Sequence, residues 1–193
     1  MILKNNLFYK YIERCLREIL FPGTVNCWEK VYASGGNSGR GSYGMLATYK
    51  ANFVNAFVKK NRVRSVIEFG CGDGNQLRFA KYPKYIGLDV SATAIKKCMK
   101  IFRHDTTKSF FLYNPEYFID KVNVFKCDLS ISLDVIFHLV EDDLYEKYMY
   151  HLFQSADKFV IIYSSNTEDN ALSKGFHIMH HEFTGWVKRN IAG

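Results

Sequence analysis

Short apolar runs alternate with stretches of helical spacing between residues 64 and 164. The run 159–163 (FVIIY) is apolar at consecutive positions, as expected of a parallel strand covered on both faces. The pattern predicts strand 64–69, helix 75–81, strand 85–89, helix 91–103, strand 109–113, strand 128–133, helix 141–155 and strand 158–164. This order predicts an α/β fold, with a doubly wound, mostly parallel sheet between two layers of helices.

Two segments of helical spacing precede this pattern. Residues 3–20 place apolar side chains near one face and most charges elsewhere, and residues 45–60 repeat large apolar side chains every three or four positions. We therefore expect an N-terminal helical and lid segment over 1–60 and a core over 61–193, which together form one globular domain. The first helix could pack on the domain or dock on a membrane surface, and both alternatives stay open.

A strand-like run ends in a glycine-rich turn at residues 66–74 (VIEFGCGDG). The alternate glycines let the backbone turn sharply and approach a ligand closely. The next apolar run ends on Asp89, fifteen residues after Gly74. An acid at that place in an α/β nucleotide site accepts hydrogen bonds from ribose hydroxyls. The dinucleotide fingerprint needs a further glycine where this chain has Asn75, so the spacing argues against a dinucleotide.

The turn reads Glu-x-Gly-x-Gly-x-Gly and resembles motif I of the class I S-adenosylmethionine (SAM)-dependent methyltransferases. Residues 128–139 resemble the fourth strand of that family and the motif after it. The resemblance implies SAM as cofactor, with Glu68 facing the methionine ammonium, Asp89 on the ribose and Val90 on the adenine. The cofactor-binding residues that it implies are Tyr32, Glu68, Gly70, Cys71, Gly72, Gly74, Asp89, Val90, Asp128 and Leu129.

Two titratable residues follow the predicted fourth strand, where the acceptor lies in the family that this chain resembles. They are Asp134 and His138. Methyl transfer requires a positioned acceptor and, for a hydroxyl, removal of its proton, which a near-neutral imidazole suits. We therefore take His138 and Asp134 as candidate catalytic residues, with Asp134 the more suited to placing a ligand. A structural or positioning role for His138 stays open.

A second glycine-rich stretch at residues 35–44 follows a Trp-x-x-x-Tyr element made by Trp28 and Tyr32. It lacks the Lys-Ser/Thr ending of a phosphate-binding loop. It resembles the lid segment of many small methyltransferases, in which the tyrosine reaches the methionine end of the cofactor. A flexible linker is the alternative.

The acceptor pocket is expected to include side chains from the lid and from the loop after the fifth strand. The candidate substrate-binding residues are Tyr43, His177, His180 and His181. Three histidines in five residues lack an accompanying acid motif, so a structural or acceptor-binding loop is favoured and no metal is expected.

The charge is unevenly placed along the 193 residues, whose formal net charge is +7. Residues 1–64 hold 11 Lys/Arg and 3 Asp/Glu, whereas residues 65–193 hold 15 and 16. Such a basic region favours an anionic acceptor, an acidic partner or a membrane surface, although a solvated basic face fits equally well. The sequence contains no run of Lys/Arg interleaved with aromatic residues, so no nucleic-acid partner is expected.

Three features predict a reduced, cytoplasmic protein. The five cysteines form no close pair, the first twenty residues carry charges unlike a signal peptide, and no apolar run is long enough to span a bilayer. The hydrophobic content of 48% is enough for one core.

The two glycine-rich stretches together resemble small methyltransferases of bacterial surface-polysaccharide loci. That resemblance implies O-methylation of a small anionic or sugar-type acceptor, such as a phosphorylated glycan precursor of a capsule or lipopolysaccharide. One alternative is a SAM-binding partner protein without turnover. Another is a methyltransferase that acts on nucleic acid or protein, although residues 132–135 lack the Asn/Asp-Pro-Pro-Tyr motif of base methylation.

The resemblance also implies a terminal helix followed by an antiparallel hairpin. Residues 183–190 can form the helix, and the sequence ends at residue 193. We therefore expect either a shortened chain or a fold that lacks this hairpin.

Overall fold

The structure is a computed structural model that describes residues 21–170, 175 and 177–191. Five parallel strands form one sheet in the order β3-β2-β1-β4-β5. The strands are β1 (Val66–Phe69), β2 (Tyr85–Asp89), β3 (Lys108–Leu112), β4 (Cys127–Leu133) and β5 (Ala156–Tyr163). The chain moves outward from β1 to β3 and then crosses back to place β4 on the other side of β1. Such a reversal opens a crevice at the carboxyl ends of the central strands.

Within the part of the chain that the structure describes, five helices flank the sheet. They are α1 (Thr24–Ala33), α2 (Gly44–Lys60), α3 (Ala92–Ile101), α4 (Asp142–Gln154) and α5 (Phe183–Asn190). Single turns of 3-10 helix lie at Arg40–Ser42, Gln76–Phe79 and Ile136–His138.

Side chains alternate between the two faces of the sheet, because successive residues of a strand point to opposite sides. Val66 and Leu129 pack with Val54 of α2 on one face. Ile67 packs with Met149 of α4 on the other face. Helices therefore cover both faces, which confirms the three-layer, doubly wound α/β fold expected from the sequence.

One segment predicted as an α-helix has a different structure. The segment predicted as helix 75–81 is only the 3-10 turn Gln76–Phe79. Val54 and Val58 of α2 lie in the same hydrophobic cluster as Leu77, so α2 already covers this part of the sheet. The other predicted boundaries differ from the observed ones by at most two residues.

The remaining predictions concern the segments before residue 64 and after residue 164. The predicted helix at 3–20 lies outside the described residues. Val54 and Val58 of α2 share a hydrophobic cluster with residues of the sheet. Over residues 21–170, 175 and 177–191 the sheet has the five strands given above and no antiparallel hairpin. No helix in this part of the chain is both long and apolar enough to cross a membrane.

Candidate functional site

A cleft opens where the central strands end. Its wall includes Gly70 after β1, Asp89 at the end of β2 and Asp134 after β4. Trp28 and Tyr32 of α1 line it as well. The cleft therefore occupies the crevice that the strand order creates, with α1 as part of its wall.

Asp89 presents a buried carboxylate to this cleft, and only 6% of the residue is exposed. One oxygen accepts a hydrogen bond from the Gly72 N–H at 2.8 Å, and the other accepts one from the Ser91 N–H at 2.9 Å. Burial raises the pKa of Asp89 to about 6. Each carboxylate oxygen can accept a further hydrogen bond, so the group can receive donors from a ligand in the cleft. Val90, the next residue, also lines the cleft.

The glycine-rich turn depends on glycine at the two positions that line the cleft. Gly70 has a φ of +81° and Gly72 has one of +58°, a region that other residues rarely adopt. A Cβ on Gly70 would lie 2.5 Å from Val135, and a Cβ on Gly72 would collide with the Ser38 hydroxyl. Any residue other than glycine at these two positions would therefore collide with Val135 or Ser38.

Two residues predicted for the cofactor lie behind this turn and are not among the residues that line the cleft. The Cys71 thiol is buried beside Cys98, and the Cys98 hydrogen bond and burial raise its pKa. Gly74 packs against Cys98 and Phe102, whose atoms would lie 3.0 Å from a Cβ. Both residues shape the turn from behind.

Glu68 does not face the cleft, so its predicted contact with the methionine ammonium is not seen in this arrangement. Its carboxyl group accepts a hydrogen bond from the Tyr85 hydroxyl at 2.6 Å. The residue is 4% exposed, and burial raises its pKa to about 7. We therefore describe Glu68 as a core carboxyl group beneath the turn.

Asp128 and Leu129, which the resemblance predicts to bind the cofactor, are not among the residues that line the cleft. Both lie near the beginning of β4, where the strands start, at the opposite end of the sheet from the cleft. Asp128 accepts a hydrogen bond from the Arg64 N–H at 2.7 Å and pairs with Lys158 at 2.7 Å. Leu129 is fully buried in the core. At the carboxyl end of the same strand, Leu133 lines the cleft instead.

Hydrogen bonds hold the predicted lid on the glycine-rich turn. The Ser38 hydroxyl accepts from the Asp73 N–H at 2.9 Å, and the Ser38 N–H donates to the Asp73 carboxylate at 3.1 Å. The Tyr43 hydroxyl donates to the same carboxylate at 2.7 Å. Tyr32 and Ser38 share a hydroxyl–hydroxyl hydrogen bond of 3.0 Å. Tyr43, predicted to bind substrate, therefore connects the lid to the turn.

Two carboxylates fix α1 over the cleft. Glu141 accepts hydrogen bonds from the backbone N–H and the hydroxyl of Thr24, at 2.8 and 2.5 Å. Glu29 accepts from the hydroxyls of Ser91 and Thr93, at 2.6 and 2.5 Å. These hydrogen bonds lower the pKa of Glu29 to about 2. The helix that carries Trp28 and Tyr32 is thus attached at its beginning to the start of α4 and at its middle to the start of α3.

His138 lines the cleft as a neutral imidazole. Burial lowers its pKa to about 4. Its Nδ1 lies 3.1 Å from the carbonyl oxygen of His177, and a carbonyl can only accept, so we place the hydrogen on Nδ1. The Trp28 ring meets the imidazole edge-on, with centroids 4.8 Å apart. Nε2 therefore carries the free lone pair of His138.

Asp134 belongs to a charge pair that the sequence did not reveal. It has a φ of +61°, and its carboxylate pairs with Lys50 of α2. Lys50 is only 2% exposed, and its ammonium group lies 5.5 Å from the centroid of the Tyr163 ring. The available signal was a lone lysine on the helix face that buries Ala47, Ala51 and Val54.

The histidines predicted to bind substrate do not converge on the cleft. The His177 ring is exposed and stacks on His138 with centroids 5.7 Å apart. His180 Nδ1 lies 2.6 Å from the Ser165 hydroxyl. His181 donates from Nε2 to the Leu139 carbonyl at 2.8 Å, and its ring stacks on Tyr145. Among the described residues, no group of three His, Cys, Asp or Glu is arranged to hold a metal ion.

Comparison with solved structures gives similar folds. The methyltransferase domain of bacterial CtHen1 has a TM-score of 0.55 at 25% identity, covering 72% of this chain and 81% of that one. The fold is that of the class I methyltransferases. No family model and no curated protein matches the sequence.

Two further similar structures were solved with S-adenosylhomocysteine (SAH). N-methyltransferase NodS from Bradyrhizobium japonicum WM9 has a TM-score of 0.56 at 15% identity, covering 69% of this chain and 68% of that one. Magnesium protoporphyrin IX methyltransferase from Synechocystis PCC 6803 has a TM-score of 0.53 at 17% identity, covering 89% and 84%. At these identities the likeness establishes the shared fold.

Proposed function

We propose that this protein binds SAM in the cleft and transfers its methyl group to an acceptor. The observation that carries the proposal is the Asp89 carboxylate, which lines the cleft beside the bare backbone of Gly70 and Gly72. Two of the similar proteins were solved with SAH, the product that remains after SAM has lost its methyl group. A buried, unneutralised acid at the end of β2 is costly for folding alone, which supports a role in ligand binding.

The residues of the cleft fit such a cofactor. The Asp89 carboxylate would accept hydrogen bonds from the ribose, and Val90 would lie on the adenine. The backbone at Gly70 and Gly72, which lines the cleft, would border the rest of the molecule. Tyr32 of α1 would close the methionine end.

His138 would act on the acceptor. When bound, SAM supplies a methyl group on a sulfonium centre, whose carbon–sulfur bond breaks with the electron pair passing to sulfur. The Nε2 lone pair of His138 would take the hydroxyl proton as the acceptor oxygen forms its bond to the methyl carbon. The His177 carbonyl keeps the other nitrogen protonated, so Nε2 is the atom available for this step. Asp134 would place the acceptor.

The acceptor that we propose is a small anionic or sugar-type molecule, methylated on oxygen in the synthesis of a bacterial surface glycan. Two observations support it: the resemblance of the glycine-rich stretches and the basic first third of the chain. An anionic acceptor would be attracted to that region. If the protein binds SAM and no acceptor screen yields a methylated product, a non-catalytic partner protein is the function. Methylated RNA, DNA or protein in the same screen would assign the acceptor class instead.

Calorimetry with SAM and SAH tests the cofactor site. Asp89→Asn removes the charge that would strengthen the hydrogen bonds to the ribose, so we expect an affinity at least about tenfold lower. Asp128→Asn is the matched control. The exposed fraction of Asp128 is similar to that of Asp89, but Asp128 lies at the beginning of β4, away from the cleft. Wild-type affinity in a folded Asp89→Asn protein would refute the assignment.

A further inference from the structure

Helix α2 carries an apolar stripe that faces away from the protein. The stripe consists of Met45, Leu46, Tyr49 and Phe53, which are 89%, 51%, 63% and 58% exposed. Residues three and four positions apart lie on the same side of a helix, so these four side chains form one continuous strip. The opposite side of the same helix is buried in the core. A continuous exposed apolar strip of this kind marks an interaction surface more often than scattered exposed residues do.

The charge around the stripe has one sign. From residue 30 to residue 67 the sequence contains no Asp or Glu. The exposed cations of this stretch include Lys59 and Lys60 on α2 itself, with Arg40 before the helix and Arg62 after it. Lys50 is buried against Asp134 and does not contribute. The stripe therefore lies on a helix whose charged side chains are all basic.

A second group of exposed apolar residues provides a comparison. Tyr117, Ile119 and Val122 are 80%, 72% and 79% exposed on the segment that connects β3 to β4. This segment carries its own acids, Glu116 and Asp120. Both regions expose large apolar side chains, but only the segment between β3 and β4 also contains acidic residues.

We propose that the stripe of α2 docks on an anionic lipid surface. The apolar side chains would enter the boundary between headgroups and acyl chains, and the lysines would meet anionic headgroups. A symmetric dimer through the same face would bring two basic surfaces together, because an isologous interface pairs a patch with itself. Residues 1–20 carry four Lys/Arg and two Glu, so they do not complement this face either.

Docking through this face would place a helix that borders the cleft on the lipid surface, because Ser42, two residues before α2, lines the cleft. Met45 comes two residues after Tyr43, which binds Asp73 of the glycine-rich turn. Farther along α2, Lys50 pairs with Asp134 at the cleft. The docking itself does not depend on methyl transfer and can be tested without it.

Vesicle co-sedimentation with the full chain tests the proposal. We expect binding to phosphatidylcholine vesicles that contain phosphatidylglycerol to be at least about tenfold tighter than binding to pure phosphatidylcholine vesicles, and to weaken with salt. The variant Met45→Ser/Tyr49→Ser/Phe53→Ser should bind at least about tenfold more weakly. Lys59→Gln/Lys60→Gln should bind several-fold more weakly and depend less on salt. The control Tyr117→Ser/Ile119→Ser/Val122→Ser should bind as the wild type does.

Other outcomes would overturn the proposal. Equal binding of the wild type and the stripe variant, equal binding to both vesicle types, or no wild-type binding would each do so. A concentration-dependent dimer that the stripe variant abolishes would identify a second copy as the occupant. Vesicle binding that appears only after deletion of residues 1–20 would show that this segment covers the stripe. Unfolding midpoints of all variants near the wild-type value would exclude misfolding as the cause.

Discussion

Two buried acids illustrate how surroundings give similar side chains different roles. Asp89 and Glu68 lie at or near the ends of adjacent strands, and burial raises the pKa of both. Asp89 accepts two backbone N–H groups and lines the cleft, whereas Glu68 accepts the Tyr85 hydroxyl within the core. Their different neighbours make Asp89 available to a ligand and hold Glu68 in the packing beneath the turn.

His138 yields a prediction at the same scale. If it is the base, His138→Ala should lower turnover by about a hundredfold or more and leave SAM affinity nearly unchanged. With a pKa of about 4 the imidazole is already neutral above pH 5, so the acid side of the rate profile should fall only below that value. Initial rates between pH 4 and pH 9 measure both effects.

The control for this experiment is His177→Ala, which keeps the carbonyl that holds the tautomer of His138. Its turnover should stay within a few-fold of the wild type. A raised KM for the acceptor with an unchanged pH profile in His138→Ala would indicate a positioning role. Wild-type kinetics in that variant would exclude both roles.

At the scale of elements, the lid is the segment whose order should depend on the ligand. Tyr32 and Ser38 line the cleft, and Ser38 and Tyr43 both bond to Asp73. We predict that SAH slows amide exchange across residues 28–44, because the ligand adds contacts to a segment held mainly by side-chain hydrogen bonds. Hydrogen exchange followed by mass spectrometry, with and without SAH, measures this. As a control, Asp73→Ala should speed amide exchange in the lid and leave exchange in α5 unchanged. Equal protection of residues 28–44 with and without SAH would contradict the prediction and identify the segment as a linker.

The Lys50–Asp134 pair connects α2 to the end of β4, and its two partners are unequally buried. The side chains are 1% and 22% exposed respectively. Asp134→Asn leaves a buried ammonium without its counter-ion and should lower the free energy of unfolding by roughly 3–5 kcal/mol. Lys50→Met leaves a carboxylate that still reaches water, so its cost should be smaller.

Urea unfolding of the two single variants and the double variant Lys50→Met/Asp134→Asn tests this asymmetry. The double variant should recover most of the loss seen in Asp134→Asn, because no buried charge is left unpaired. An Asp134→Asn protein as stable as the wild type would contradict the assigned role of the pair.

The sequence predicted the elements best where the local pattern carries the information. Strand β5 is apolar on both faces and was placed within two residues. Helix 75–81 was over-predicted because its apolar residues pack under α2, a distant segment that local spacing does not reveal. The pairing of Lys50 with Asp134 has no local signature, because the two residues lie far apart along the chain. The contacts of Asp128 with Arg64 and Lys158 join distant parts of the chain, so no local pattern predicts them.

At the scale of the whole molecule, the strand order determines which parts of the sequence meet. Gly70, Asp89 and Asp134 lie at or just after the carboxyl ends of three different strands, and the reversal beside β1 brings them to one cleft. The sequence predicted this convergence because glycines and acids followed apolar runs. The contribution of α1 to the cleft wall depends on long-range hydrogen bonds to Glu141 and from Ser91. These links have no local signature in the sequence.

The buried Glu68 makes the global stability of the fold depend on pH. Its pKa is raised from 4.5 to about 7, so the folded state holds the proton more tightly than the unfolded state. The resulting stabilisation is complete below pH 4.5 and is lost as pH rises through 7. Its size is about 3 kcal/mol, since a tenfold change in an acid dissociation constant corresponds to about 1.4 kcal/mol.

Glu68→Gln removes this dependence, because glutamine keeps an oxygen acceptor for Tyr85 and stays neutral. We predict that the free energy of unfolding of Glu68→Gln, minus that of the wild type, rises by about 3 kcal/mol between pH 4.5 and pH 8, as urea unfolding would measure. Other titrating groups cancel in this difference. The Tyr85 hydroxyl lowers the pKa of Glu68 by donating to it, so in Tyr85→Phe that pKa should rise and the fall in stability should shift to higher pH. A flat difference between wild type and Glu68→Gln would show that Glu68 is ionised at no cost, and hence that a cation or water reaches it.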